Sequence, residues 1–382
     1  MNSAPQLHWQ EGGNEHTARW RSEAAVPPPA RVQPADDTLA ADAAYRMVCE
    51  GTALLWRGDF QNARQLLQAL ARRIDRKPRT APPAAKIPAD QLFFRHRQAQ
   101  GRRARLLAML LIPLEGDYAI PLRRAPDLRQ ACTEAWGPTD GAASVASLRE
   151  LMGLVGAHEW RKKGVEIPAL GPPPRNRIHA HYGVFSPVRG EYLDLLARAP
   201  LPSTALAFDI GTGTGVVAAV LARRGVQRVV ATDLDPRALA CARDNLERLG
   251  VADRIELLEA DLFPPGQAPL VVCNPPWLPA RPSSPIEHAV YDQDSRMLRG
   301  FLRGLAAHLA PGGEGWLILS DLAELLGLRA RNELESLVKG AGLRVLERKT
   351  IKPRHPKAAD AADPLAHARS REVTSLWRLA AA

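Results

Sequence analysis

Cysteine is scarce in this chain. Cys49, Cys132, Cys241 and Cys273 are scattered through 382 residues with no C-x-x-C pair, and two of them fall in segments that read as buried. That argues against a disulfide framework or a zinc site and suits a reducing cytosol. Long apolar runs are missing too. The longest, Leu106 to Leu114, is too short to span a bilayer. Met1 to Gln10 shows no basic-then-apolar signal pattern. The expectation is a cytoplasmic protein with no membrane and no metal partner. Acidic residues are outnumbered, 41 against 51 Lys and Arg, which leaves a net charge of +10 and a pI near 9.8. Such a balance points to an acidic partner, with RNA or the ribosome the obvious candidates.

The length suits two domains. Residues 1–37 are rich in Pro, Ala and charge, as in Val26-Pro27-Pro28-Pro29, and read as a disordered tail. Residues 38–170 read as a mainly helical, substrate-docking domain. There Phe60, Ala63, Leu67, Leu70 and Ile74 draw one apolar stripe at helical spacing. Gly58-Asp59 separates that stripe from Met47–Trp56, and Pro78 stops it, so a helical hairpin is the simplest account. Arg79 to Pro88 reads as a linker, Tyr118 to Leu122 as a short strand and Ser147 to His158 as a helix. Residues 171–188, opening on Gly171-Pro172-Pro173-Pro174, read as a linker and lid.

Residues 189–382 alternate strand and helix. The pattern predicts strands at 205–210, 228–232, 255–259, 270–273, 315–320, 343–348 and 373–379. It predicts helices at 191–199, 216–224, 236–249, 295–309 and 332–340. The fold class is therefore α/β: a Rossmann-like, seven-stranded, mostly parallel sheet with helices on both faces. The stretch 351–371 has little helical signal, which allows the last strand to run antiparallel.

In such a sheet a ligand sits beyond the carboxyl ends of the strands, where strand order reverses. The first strand ends in Asp209-Ile210-Gly211-Thr212-Gly213-Thr214-Gly215, whose glycines permit a tight turn and close approach to a nucleotide-like cofactor. Asp233 ends the second strand about twenty residues later, the distance at which an acid reaches ribose hydroxyls. Leu234 follows it. Asp235 then caps the next helix and Pro236 opens it. A nicotinamide fingerprint needs G-x-G-x-x-G. Here the spacing is G-x-G-x-G with Val216 in the last place, which argues against a dinucleotide. A carboxylate at Asp209 suits a methionyl ammonium or an ordered water. Asp261, after the third strand, is placed to accept from an adenine amino group, with Leu262 or Phe263 against the ring.

The fourth strand delivers Asn274-Pro275-Pro276-Trp277. Two prolines stiffen the turn, so the Asn274 side-chain oxygen and the Pro275 carbonyl can both accept from one NH2. Trp277 can stack on the target. The pairing of this turn with the glycine loop is what N-methylation by S-adenosylmethionine requires, with the cofactor carrying the hard chemistry.

These motifs make residues 180–382 resemble the class I S-adenosylmethionine-dependent methyltransferases, within them the group that methylates amide or exocyclic amine nitrogens. Asp209–Gly215, Asp261–Phe263 and Asn274–Pro279 are similar to the release-factor and ribosomal-protein glutamine methyltransferases. Gly183-Val184-Phe185-Ser186 is similar to the Gly-Val-Phe-Ser of the ribosomal RNA guanine methyltransferases. Trp277 departs from both, which carry Tyr or Phe. The resemblance implies S-adenosylmethionine as cofactor and a translation protein or RNA as partner. The leading target is a glutamine amide, the second an exocyclic amine of adenine or guanine in RNA, and the remote third reading a non-catalytic RNA-binding module. Residues 1–170 carry no family resemblance, and no oligomeric state is implied.

Weaker signals surround these. Phe185 and Pro187 read as a lid over the cofactor's methionine end or as packing under the sheet. His179-x-His181 reads as a hydrogen-bonding pair rather than a metal site. His288, Tyr291, Asp292, Asp294 and Arg296 could orient substrate. Arg95–Arg105, beside Phe93 and Phe94, could dock on phosphate or form a solvated face. Lys349, Lys352, Arg354 and Lys357 add charge with the same ambiguity.

Overall fold

The computed structural model describes residues 4–76, 87–283, 285–353 and 363–382. The chain groups into two compact units: Met1–Ile87 with Phe94–Glu159, and Pro88–Phe93 with Trp160–Ala382. Pro78, most of the 79–88 linker, Arg354 and Lys357 lie outside the described residues.

The first unit is built on a six-stranded mixed sheet. Its strands are β1 (Gln6–Glu11), β2 (Asn14–Arg21), β3 (Arg31–Ala35), β4 (Thr52–Trp56), β5 (Leu110–Leu114) and β6 (Ser144–Ser147), in the order β1-β2-β6-β5-β4-β3. Residues 4–37 therefore carry three strands and are not a disordered tail. Gly12 and Gly13, both at positive φ, turn β1 into β2. Period-two alternation then sends Leu7 and Trp20 into a core with Ala53, Leu55, Leu111 and Val145. Average composition over the segment conceals that alternation. Pro34 is tolerated because β3 is an edge strand.

Helices α1 (Ala41–Cys49), α2 (Phe60–Ile74), α3 (Ala89–Leu107), α4 (Arg129–Trp136) and α5 (Leu148–Lys163) follow in chain order. The helices expected between residues 38 and 170 are thus present, but they accompany a sheet, and the unit is α/β rather than helical. The expected hairpin fails at one place. α1 stops at Gly51, at φ +84°, and Thr52–Trp56 is a buried strand with Leu54 and Leu55 fully enclosed. α2 stands as read. Asp59 caps it by accepting from Gln61 N, and Phe60, Ala63, Leu66 and Leu70 are buried. Residues 118–122 are irregular backbone with bends at Tyr118 and Leu122, not a strand, and Tyr118 has φ +68°.

The second unit opens with a small ladder of β7 (Val165–Glu166) and β8 (Arg177–Ile178). A seven-stranded sheet follows: β9 (Leu206–Ile210), β10 (Arg228–Asp233), β11 (Ile255–Glu259), β12 (Ala268–Cys273), β13 (Leu309–Ser320), β14 (Leu343–Ile351) and β15 (Thr374–Ala381). Between and around these lie α6 (Glu191–Arg198), α7 (Val216–Arg223), α8 (Pro236–Leu249), α9 (Arg296–His308), α10 (Leu322–Leu325), α11 (Glu333–Gly340) and α12 (Ala366–Arg369). The strand order is β11-β10-β9-β12-β13-β15-β14, and β15 alone runs against the rest.

Both faces are covered, which is why the strands read as apolar runs. Ala207, Val272 and Ile318 enter one core with α6 and α7. Their neighbours Phe208, Val271 and Leu317 enter the other with α9 and α11. Strand order reverses at β9, between β10 and β12, so the carboxyl ends of β9 and β12 open a crevice.

Candidate active site

That crevice is a cavity of about 1030 Å³ within the second unit. Its wall contains Asp209 and Gly211–Thr214 of the glycine loop, Asp233, Leu234, Asp261, Leu262, Phe185 and all four residues of the Asn274–Trp277 turn; Gly215, expected there from the sequence, instead backs against Ala242 and Leu246 of α8. The two motifs are 60 residues apart in sequence, and the sheet brings them to one wall.

The glycine loop is fixed from below. The backbone N–H groups of Gly211 and Thr212 donate to Thr232 O at 2.9 and 2.8 Å. Gly213 N donates to Asp233 Oδ2 at 2.9 Å. Gly213 has φ +56° and open space where a Cβ would stand, so bare backbone faces the cavity there. Gly211 is glycine because its backbone sits at φ +73°, in the left-handed region, with the Met297 methyl close to where a Cβ would stand.

The acids divide their labour. Asp233 accepts from Gly213 N and, through Oδ1, from Asp235 N. Burial pushes its carboxyl above the usual range, against those two bonds. Asp209 is enclosed, and its Oδ2 accepts from Thr212 Oγ1 at 2.7 Å and Ala218 N at 3.0 Å. That oxygen holds the loop to the start of α7 and is not free for an ammonium. Asp261 is on the surface, where Arg296 Nη2 meets its Oδ2 at 2.7 Å. Leu262 stands on the cavity wall. Phe263 instead stacks on His308 and Phe301, with centroids 4.2 and 5.8 Å away. Leu262, not Phe263, is thus available to a ring.

Burial raises the Asp209 carboxyl to about 7, outweighing the pull of Thr212 and Ala218. A carboxyl raised on folding stabilises most below its unfolded value, about pH 4, and loses that contribution as pH rises through 7. Asp209→Asn keeps one acceptor oxygen and removes the titration. Its melting temperature relative to the unsubstituted protein should therefore climb by a few degrees between about pH 5 and pH 8. Parallel melting curves across that range would refute the assignment.

The Asn274 turn is held on several sides. Trp277 Nε1 donates to Asn274 Oδ1 at 3.0 Å. The Arg189 guanidinium lies 5.5 Å from the Trp277 ring centroid and reaches Glu372 Oε1 at 3.0 Å. Buried Arg329 donates to the Trp277 carbonyl at 3.4 Å and to Ser295 Oγ at 3.4 Å. The half-buried indole packs against both core clusters. The sequence assigned this ring to stacking on substrate; here its edge and one face are already engaged.

Of the polar residues after the turn, His288, Tyr291, Asp292 and Arg296 line the cavity. Asp292 has a structural task, since its Oδ2 accepts from Met297 N and Leu298 N at the start of α9. His179 and His181 are a hydrogen-bonding pair, as read: Nδ1 of the first meets Arg161 O, and Nε2 of the second meets Asp244. Among the described residues no group of His, Cys, Asp or Glu could hold a metal, and no helix is long and apolar enough to cross a membrane.

Sequence reading missed Tyr192, Arg189 and Arg329. Tyr192 is buried on α6 yet lines the cavity, as Asn274 does, and burial pushes its phenol pKa up. A tyrosine among apolar helix positions reads as core, and nothing local marks it otherwise.

The methyltransferase small domain family matches residues 175–339. A release factor glutamine methyltransferase of Cereibacter sphaeroides is 34% identical over 169 residues, covering 41% of this chain and 58% of that protein. A ribosomal protein L11 methyltransferase of Pelotomaculum thermopropionicum is 35% identical over 143 residues, 37% of this chain and 39% of that one. A tRNA1(Val) (adenine(37)-N6)-methyltransferase of Shewanella loihica is 30% identical over 169 residues, 41% of this chain and 69% of that one. With its fold and its two motifs on one wall, the chain belongs to the class I S-adenosylmethionine-dependent methyltransferases. It spans less than two thirds of the length of the glutamine and L11 methyltransferases it matches.

The residues fit that family's cofactor. Gly213 offers bare backbone, Asp233 offers a carboxylate to hydroxyl donors, and Leu234 and Leu262 offer apolar surface on the same wall.

Proposed function

We propose that the protein transfers a methyl group from S-adenosylmethionine to a planar NH2 of a macromolecule, with a glutamine side-chain amide of a translation protein as the favoured acceptor. The observation that carries this reading is that Asn274–Trp277 and the glycine loop line one cavity. Bound there, the cofactor would supply a methyl group made electrophilic by its sulfonium. Asp233 would orient the ribose. Asn274 Oδ1 and the Pro275 carbonyl would take the two N–H protons of the acceptor. That leaves the nitrogen lone pair aimed at the methyl and favours the positive charge that develops on nitrogen. The prolines keep the two acceptors preorganised.

A glutamine amide is favoured because Arg189 covers one face of Trp277 and Asn274 takes its edge. A slim amide on an aliphatic stem needs no open ring to stack on. The match to a release factor glutamine methyltransferase points the same way. A second reading, an exocyclic amine in RNA, is favoured by a different observation. Arg95, Gln98, Arg102 and Arg105 are exposed on one acid-free stripe of α3, a face suited to phosphates.

The test is to incubate the protein with methyl-labelled cofactor and cell extract, then digest with protease or ribonuclease. Label released by protease and resistant to ribonuclease is expected. The reverse pattern selects RNA. No macromolecular label at all defeats the proposal.

A further inference from the structure

The proposed reaction requires Asn274 to show the acceptor an oxygen and not its own NH2. A carboxamide has two ends of nearly equal size, and an unrestrained one presents either. One neighbour removes that ambiguity. An indole N–H donates and never accepts, so its 3.0 Å bond to Asn274 Oδ1 puts the oxygen end against Trp277 and turns the NH2 end away from it.

We propose that Trp277 is a positioning residue that clamps the Asn274 carboxamide in one sense. The inference rests on the function proposed above. The indole uses one lone pair of Oδ1 and leaves the second for the acceptor amine. This explains why a tryptophan stands at 277. A phenylalanine ring has no donor at that edge, and a tyrosine carries its hydroxyl at the far end of the ring. Arg189 over the indole face and Arg329 on the Trp277 carbonyl keep the donor in place.

Trp277→Phe removes the clamp bond and keeps an aromatic ring. With Asn274 in place it should lower kcat about two- to tenfold, the range implied by one neutral hydrogen bond. The cofactor Kd should hold within about twofold. In an Asn274→Asp background the same substitution should leave kcat within about 1.5-fold, because the two oxygens of a carboxylate are equivalent and need no orientation. Unchanged kcat in the first background, or equal losses in both, overturns the clamp. A readout independent of turnover is hydrogen exchange at the Trp277 indole, assigned in 15N-tryptophan spectra by its absence from Trp277→Phe. Exchange should be slow in the unsubstituted protein and faster by about tenfold or more in Asn274→Ala; equal rates overturn the clamp. Absence of methyl transfer by the unsubstituted protein would instead defeat the parent reading, and the exchange result would still decide whether the clamp exists.

Discussion

Asn274→Ala should lower methyl transfer about a hundredfold or more while cofactor affinity stays within about twofold, as loss of one preorganised acceptor implies. The asymmetry follows from where Asn274 stands. It follows β12 on the cavity wall, and its side-chain oxygen is bonded by the Trp277 indole rather than by the glycine loop. Cofactor contacts on Gly213 and Asp233 are left alone. Single-turnover rates with pre-bound cofactor, set beside calorimetric Kd values, separate the two effects. Full turnover in the variant would remove the turn from the mechanism.

Asp233→Ala should act the other way, raising the cofactor Kd about a hundredfold. Each hydrogen bond to a charged group contributes roughly 1.5–3 kcal/mol, and two ribose hydroxyls would use this carboxylate. The same substitution frees the Gly213 and Asp235 N–H groups that Asp233 now anchors, so the loop loses a support as well as a ligand. Turnover should return in part at saturating cofactor, which it cannot do in Asn274→Ala. A Kd within threefold of the unsubstituted value would exclude Asp233 from the cofactor site.

The second unit was legible because its central strands β9, β12 and β13 are buried on both faces. Runs such as Leu270 to Cys273 then have no polar positions to obscure them, and Gly211 or Asn274-Pro275 marks where each ends. The seven strands lie within a few residues of their expected places, except that β13 starts six residues earlier, at Leu309. The first unit was not legible for the converse reason. β1 and β3 are edge strands in which Leu7 is the one buried residue, and Pro27–Pro29 with Pro34 weight the composition around β3. Only Leu7 and Trp20 betray the sheet, through partners more than thirty residues away. In the site, local motifs gave the loop and the turn. Tyr192, Arg189 and Arg329 act through the tertiary fold and carry no local signature. Asp209 shows a third case: its position was legible, but its engagement with Thr212 and Ala218 was not.

One helix start joins the two halves of the cavity. The Met297 methyl rests on Gly211, while Met297 N is anchored by Asp292, whose own N–H is tied to Leu278 O beside Trp277. Met297 is thus a strut between donor and acceptor walls. A ligand that shifts this strut would act on both walls, and any coupling so produced would by thermodynamic reciprocity be equal in both directions.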